Sequence, residues 1–167
     1  MIKIKVLILL ICISSFSFGA DIRSDFHKGM FEEDKLTSLS ESKSYGNSNL
    51  TKAYQGVSKT MLADYMCLPT SKLSYFNDGK SLLEKAITNE PKNPEYRYLR
   101  LLVQLNAPFF LGYNGKIDSD ISFFSNNLAS LNLSKYWKLK FIENLLAADE
   151  LSNAQEIKIK ALKKTIS

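Results

Sequence analysis

The sequence predicts an all-α fold of antiparallel helical hairpins, six or seven helices joined by short connections. Three observations carry this. Apolar residues recur every three or four positions along most of the chain, the spacing that lines one face of a helix. Prolines stand at the edges of those runs rather than inside them. No stretch alternates apolar and polar residues as a half-buried strand does.

The first segment is an address rather than part of the fold. Lys3 and Lys5 precede an unbroken apolar run, Val6 to Ile13, and Ser14 to Ala20 then turn small and polar. Basic, apolar, then small is the layout of a secretory signal. The run is shorter than the roughly 20 residues that span a bilayer. Ser17 and Gly19 place cleavage after Gly19 or Ala20, so residues 1–19 are read as a signal peptide. The protein is then expected in the periplasm or beyond the cell. Cys12 follows Ile11, where a lipoprotein signal needs Gly or Ala. No later segment reaches membrane-spanning length.

The remaining 147 or so residues suit one domain, able to bury roughly 68–70% of its unfolded surface. Loss of Lys3 and Lys5 takes the formal charge from +5 to +3. That modest balance does not call for a nucleic-acid partner, and export argues against one. Cys67 is left alone, so no internal disulfide forms and the core must hold the fold. Cys67 itself is expected as a small buried residue, and His27, in a polar stretch, as a solvated one.

Residues 20–49 read as a polar N-terminal helix and linker. Phe26, Met30, Phe31, Leu36 and Leu39 allow one helix, and Tyr45 to Asn49 forms a turn. Residues 50–151 form the helical-hairpin domain. Leu50, Tyr54, Val57, Met61 and Tyr65 make one stripe; Leu73, Phe76, Leu83 and Ile87 make the next. Gly79 lies on that second stripe. It costs about 1 kcal/mol of helix propensity, which is explained by another helix passing close. Tyr96, Leu99, Leu101, Leu102, Val103 and Leu105 surround most of the third helix, so it is central and buried. Pro91 closes the helix before it. Asn93 caps it, Pro94 takes its first position and Glu95 suits its positive end. Pro69 and Pro108 mark two further boundaries. Ile121, Phe124, Leu128 and Leu131 form another stripe, as do Trp137, Phe141, Leu145 and Ala148. Residues 152–167 form a basic C-terminal helix opened by Ser152 and Gln155 at capping-box spacing. Its expected apolar side is Ile157, Ala161, Leu162 and Ile166, opposite Lys158, Lys160, Lys163 and Lys164.

The fragment Ala86-Ile87-Thr88-Asn89-Glu90-Pro91 resembles the end of a tetratricopeptide repeat. In such a repeat an alanine packs between helices and a proline five residues later ends the second one. Lys92-Asn93-Pro94-Glu95 resembles the turn into the next repeat, and Gly79 falls near the small position of the motif. Arg97 and Arg100 stand where the next repeat would carry its aromatic and Leu-Gly positions, and no second copy recurs near 34 residues. The string EYRYLRLLVQLNAPFFLGY, followed by Ile117 and Asp120, is similar to small exported helical proteins of bacteria with no assigned activity. The resemblance implies a degenerate tetratricopeptide-like fold and transfers no catalytic residue.

Three groups are candidates for work. Arg97 and Arg100 lie one turn apart with Gln104 and Glu95 nearby, and guanidinium forks suit carboxylates and phosphates. They either pair internally, with Glu84, Glu90, Glu143 or Asp120, or hold an acidic ligand. The connection Asn106 to Asp118 carries Phe109, Phe110, Leu111 and Tyr113, which either seal the core or form an aromatic patch for a partner. Asp118 and Asp120 beyond it read as helix-start residues. The basic last helix either packs its apolar side or rests on an anionic membrane surface. No nucleophile elbow, phosphate-cradling loop or cysteine–histidine metal pattern occurs, so no catalysis, metal or cofactor is expected. The functional expectation is a periplasmic interaction module for a peptide or protein of the cell envelope, using Arg97, Arg100, Gln104, Phe109, Phe110 and Tyr113. The alternatives are a small acidic-ligand binder or unrecognised hydrolase using Arg97, Arg100 and Tyr113, and a membrane-associated structural protein.

Overall fold

The structure, a computed structural model, describes residues 21–148 and 150–167. The signal peptide read in residues 1–19 lies outside them. Eight α-helices follow in order: α1 (Ile22–Gly29), α2 (Glu33–Glu41), α3 (Asn49–Leu62), α4 (Pro69–Asn89), α5 (Pro94–Asn106), α6 (Ile117–Asn127), α7 (Lys135–Leu146) and α8 (Asn153–Ile166). Two short 3₁₀ turns, Ala63–Tyr65 and Phe109–Leu111, sit at the ends of α3 and α5. The described residues contain no strand.

Adjacent helices pack in pairs, and side-chain partners give their direction. Asn49 at the start of α3 bonds Asn89 and Glu90 at the end of α4, while Lys59 near the end of α3 pairs with Asp78. Arg97 lies over Phe123 while Gln104 accepts from the Lys116 backbone N–H, just before α6. Lys135 at the start of α7 meets the Ser167 carbonyl just past α8, while Glu143 late in α7 meets Lys163. In each pair one number rises as the other falls, so all three hairpins are antiparallel.

The closest approach is between α3 and α4, at Gly56 and Gly79. A Cβ on Gly79 would meet the Gly56 carbonyl oxygen and lie 2.6 Å from the Thr60 nitrogen; one on Gly56 would lie 2.7 Å from the Gly79 oxygen. Two glycines on facing stripes let the backbones touch, which fulfils the expectation for Gly79. The central helix is α5: Tyr96, Tyr98, Leu99, Leu101 and Leu105 are almost fully buried. Its start is as expected, with the Asn93 side chain accepting from the Glu95 N–H at 3.0 Å. The capping box of Ser152 and Gln155 is also formed.

Several expectations fail for identifiable reasons. The described residues form eight helices rather than six or seven, because the segment read as one polar helix folds back on itself at Met30–Glu32. Phe26 of α1 and Leu36 and Leu39 of α2 thereby join the same core as the later helices, leaving Phe31 outside. Leu73 begins its stripe but is half exposed, since α4 there runs beyond the end of α3. On α8 the buried side chains are Ile159 and Leu162, while Ile157 is exposed. The set Ile159, Leu162 and Ile166 is as periodic as the set chosen from sequence, and only packing on α6 and α7 separates them. Cys67 is exposed in the α3–α4 connection.

His27 is not solvated either. It sits among aromatic rings from three other helices and its own neighbour: stacked on Tyr98 and Phe141, tilted against Trp137, and edge-on to Tyr54 and Phe26. Its Nδ1 donates to the Arg23 carbonyl at 2.7 Å, so Nε2 accepts from the Tyr98 hydroxyl at 2.8 Å. Burial pushes its pKa down to about 4, helped by the positive charges of Lys140 and Arg23 and opposed by the bond to the Arg23 backbone.

Candidate functional site

The polar residues singled out on α5 form a closed network. Arg100, 3% exposed, lies against Asp120, 2% exposed. Its Nε and one terminal nitrogen donate to the two carboxylate oxygens of Asp120 at 2.7 and 2.6 Å. Its other terminal nitrogen donates to Glu84 of α4 at 2.9 Å. Gln104 donates to Asp120 at 2.8 Å, and the Tyr113 hydroxyl donates to Glu84 at 2.7 Å. A buried charge needs such partners. Burial alone would pull the Arg100 guanidinium down; Asp120 and Glu84 hold it above its ordinary value instead. Burial likewise opposes ionisation of Glu84, but the Tyr113 hydroxyl and the Arg100 charge outweigh it and lower its pKa. Burial and the Glu84 carboxylate raise that of Tyr113. Asp120, read from sequence as a helix-start residue, is thus also the central anion tying α6 to α5. Arg97 stays at the edge, 3.8 Å from Asp120 and over the Phe123 ring. Burial and the Arg100 charge lower its pKa, with Asp120 opposing them.

A second network at the other end of α5 was not foreseen. Glu95, 2% exposed, accepts from Arg23 of α1 at 2.6 and 2.9 Å and from the Tyr54 hydroxyl of α3 at 2.7 Å. The signal was present in the composition. Only Arg23, Arg97 and Arg100 among the 22 basic residues are arginine, and arginine is the cation suited to buried bidentate pairing.

The most apolar concavity among those of the described residues lies elsewhere. A groove of about 330 Å³ opens where the end of α3 and its turn, the start of α4, and the end of α5 with the Phe109–Leu111 turn come together. Met61, Pro69, Leu73, Phe76, Leu102 and Phe110 supply its apolar walls, with Asp64 and Lys72 its only charged lining residues. Phe109 and Phe110 are 82% and 83% exposed. Their connection therefore divides: Leu111 packs on the core and Tyr113 enters it, while the two phenylalanines stay out. Pro108 starts the turn and Gly112 ends it in the left-handed region, φ 62°.

Around the groove other apolar side chains gather. Leu68 precedes Pro69, and Tyr65 ends the α3 turn with its hydroxyl on the Phe31 carbonyl. Of eight large hydrophobics exposed among the described residues, Phe31, Tyr65, Leu68, Leu73, Phe109 and Phe110 belong to this end; Tyr136 and Ile157 do not. The six residues chosen from sequence therefore separate. Arg100, Gln104 and Tyr113 lie in the closed network with Arg97 at its edge, Phe110 lines the groove and Phe109 stands beside it. Sequence reasoning missed the α3–α4 side, although Tyr65 to Pro69 is an apolar run at a helix break.

No protein-family model, curated protein or solved structure matches the chain. Its architecture is that of a small all-helical protein.

Proposed function

We propose that the chain is an exported helical interaction module, its hairpins a degenerate form of the tetratricopeptide arrangement, that docks a peptide or protein of the cell envelope on the apolar end around the groove. One observation carries the reading: six large apolar side chains and the groove share one end, while the arginines of the interior are occupied. Exposed apolar patches above a few hundred Å² mark binding sites, and aromatic side chains dominate such contacts. Consecutive antiparallel hairpins, the Gly56–Gly79 crossing and the buried Ala86 support the repeat-like reading. The layout of residues 1–19 supports export. The acidic-ligand alternative draws less support, because the donors of Arg100 already meet Asp120 and Glu84.

Affinity capture from the native envelope tests this, comparing the wild-type chain with Phe110→Asp. Phe110 is exposed, so the substitution leaves the helices intact. Recovery of a partner should fall about tenfold or more, the loss of one hot-spot contact. Recovery that is equal for both chains, whether of another protein or of a second copy, or recovery of the bait with nothing bound, refutes the docking surface.

A further inference from the structure

The groove and the side chains that project beside it have a relation that points to a particular occupant. A two-fold contact brings a surface against its own copy, so the same patch must carry both halves of every fit. This end does so in shape. It has a hollow, the groove of about 330 Å³; an apolar cavity of about 150 Å³ already accepts benzene. It also has a projection. Phe109 is 82% exposed and is not part of the groove wall, although its neighbour Phe110 is.

The charges match in the same way. Asp64 and Lys72 are the one anion and one cation in the lining. The Lys72 ammonium meets the Asp64 backbone oxygen at 3.4 Å and no carboxylate among the described residues. The groove lining is therefore neutral as a whole, and a two-fold axis passing between Asp64 and Lys72 would set each against the other's opposite. An anionic lipid surface would instead be met by a basic ring. The groove lining offers a single cation, Lys72, and the lysines of the last helix, Lys158, Lys160, Lys163 and Lys164, lie on α8, which packs on α6 and α7. The exposed area also suffices. Phe31, Tyr65, Leu68, Leu73, Phe109 and Phe110 present on the order of 700 Å², close to the roughly 800 Å² per partner of a standard interface.

We propose that this end pairs with a second copy of the chain across a two-fold axis, Phe109 of each copy seated in the groove of the other and Asp64 facing the other's Lys72. The proposal rests on the reading of this end as a docking face and names its partner.

Sedimentation equilibrium of the full chain, expressed and purified in its water-soluble form, tests it across the micromolar range. The wild-type chain should sediment at twice the chain mass. Phe109→Asp should raise the dissociation constant about thirtyfold and leave the thermal melting curve unchanged at concentrations where both chains are dissociated, since the side chain is outside the core. Asp64→Lys and Lys72→Asp should each weaken self-association. Mixed together, the two variants should form a heterodimer tighter than either homodimer, because the reversed charges meet only across the pair. A monomer at every concentration overturns the proposal, as does a dimer indifferent to Phe109→Asp or a mixture that pairs no better than its components. A monomer that still captures an envelope protein through Phe110 overturns the dimer and leaves the docking face standing. A monomer that instead floats with anionic vesicles in a Phe109-dependent way overturns both.

Discussion

Adding one methyl group at Gly79 is the most direct test of how the hairpins are built. In a solvent-facing helix, Gly→Ala stabilises by about 1 kcal/mol because alanine loses less backbone entropy. At Gly79 the new Cβ would lie 2.6 Å from the Thr60 nitrogen and 2.8 Å from its Cγ2, and against the Gly56 carbonyl oxygen. Two of those three atoms are backbone of the facing helix, so no rotamer change relieves the overlap. The helices must separate, loosening the α3–α4 contact along its length. Overpacking costs typically 1–3 kcal/mol, and backbone neighbours place this site at or above the top of that range. Setting the propensity gain against it leaves a net loss of about 2 kcal/mol. For a domain of this size that lowers Tm by about 6–8 °C. Differential scanning calorimetry with Ser81→Ala as the control measures it. Ser81 is exposed on the same helix, and its variant should melt no lower than the wild type. A Gly79→Ala protein that melts above the wild type would refute the close crossing.

Two further predictions concern the buried polar groups. Asp120→Asn keeps the shape but leaves Arg100 with Glu84 alone, and removing one partner of a buried pair costs about 3–5 kcal/mol; urea denaturation should show a loss of that size, and one under about 1 kcal/mol would refute the network. His27 sets an acid limit. Its folded pKa of about 4 lies below the ordinary 6.5, so below pH 6.5 the unfolded chain binds the proton first. Stability then falls as pH drops, by up to about 3 kcal/mol, and this loss levels off below about pH 4. Melting temperatures of His27→Phe should decline less steeply over that window than the wild type; parallel curves would show that His27 does not set the limit. Glu84 adds a loss at lower pH, its depressed pKa contributing stability that disappears as the solution passes below it.

What the sequence made legible follows from where the physics is local. Asn93, Pro94 and Glu95 act within one turn, and so do Ser152 and Gln155; both helix starts stand as read. Gly79 was legible as a close approach, but its counterpart Gly56 was not, because nothing local says which residue faces it. The burial of α5 could be read because its apolar residues leave only a narrow strip uncovered. On α8 two stripes are equally periodic, and only the neighbours choose between them. His27 was misread for the same reason. Asp21, Arg23, Ser24, Asp25 and Lys28 make its surroundings polar along the chain, yet the rings that enclose it come from α3, α5 and α7. The partners of Arg100 were identified among four candidate acids, and the structure selects Glu84 and Asp120; Glu90 instead accepts from Tyr96 and Asn49.

The distribution of charge and grease over α5 and its exit connects the fold to its proposed use. Arg100 of α5 is spent on carboxylates within the molecule and Arg97 sits at the edge of that network, while two phenylalanines a few residues beyond the same helix remain outside. Burying each phenylalanine would stabilise the chain by roughly 1.5–3 kcal/mol, a large share of the 5–15 kcal/mol that holds an ordinary domain together. Local geometry keeps them out. Pro108 turns the chain away from α5, Gly112 adopts a left-handed conformation that a side chain would strain, and Tyr113 returns to bond Glu84. The turn is thus fixed at both ends, one of them by the same carboxylate that supports Arg100. Packing that closes the interior also sets the pitch of the exposed edge. A contact made by Phe109 and Phe110 would bury surface that the single chain leaves in water, at little ordering cost, since the turn carrying them is already held.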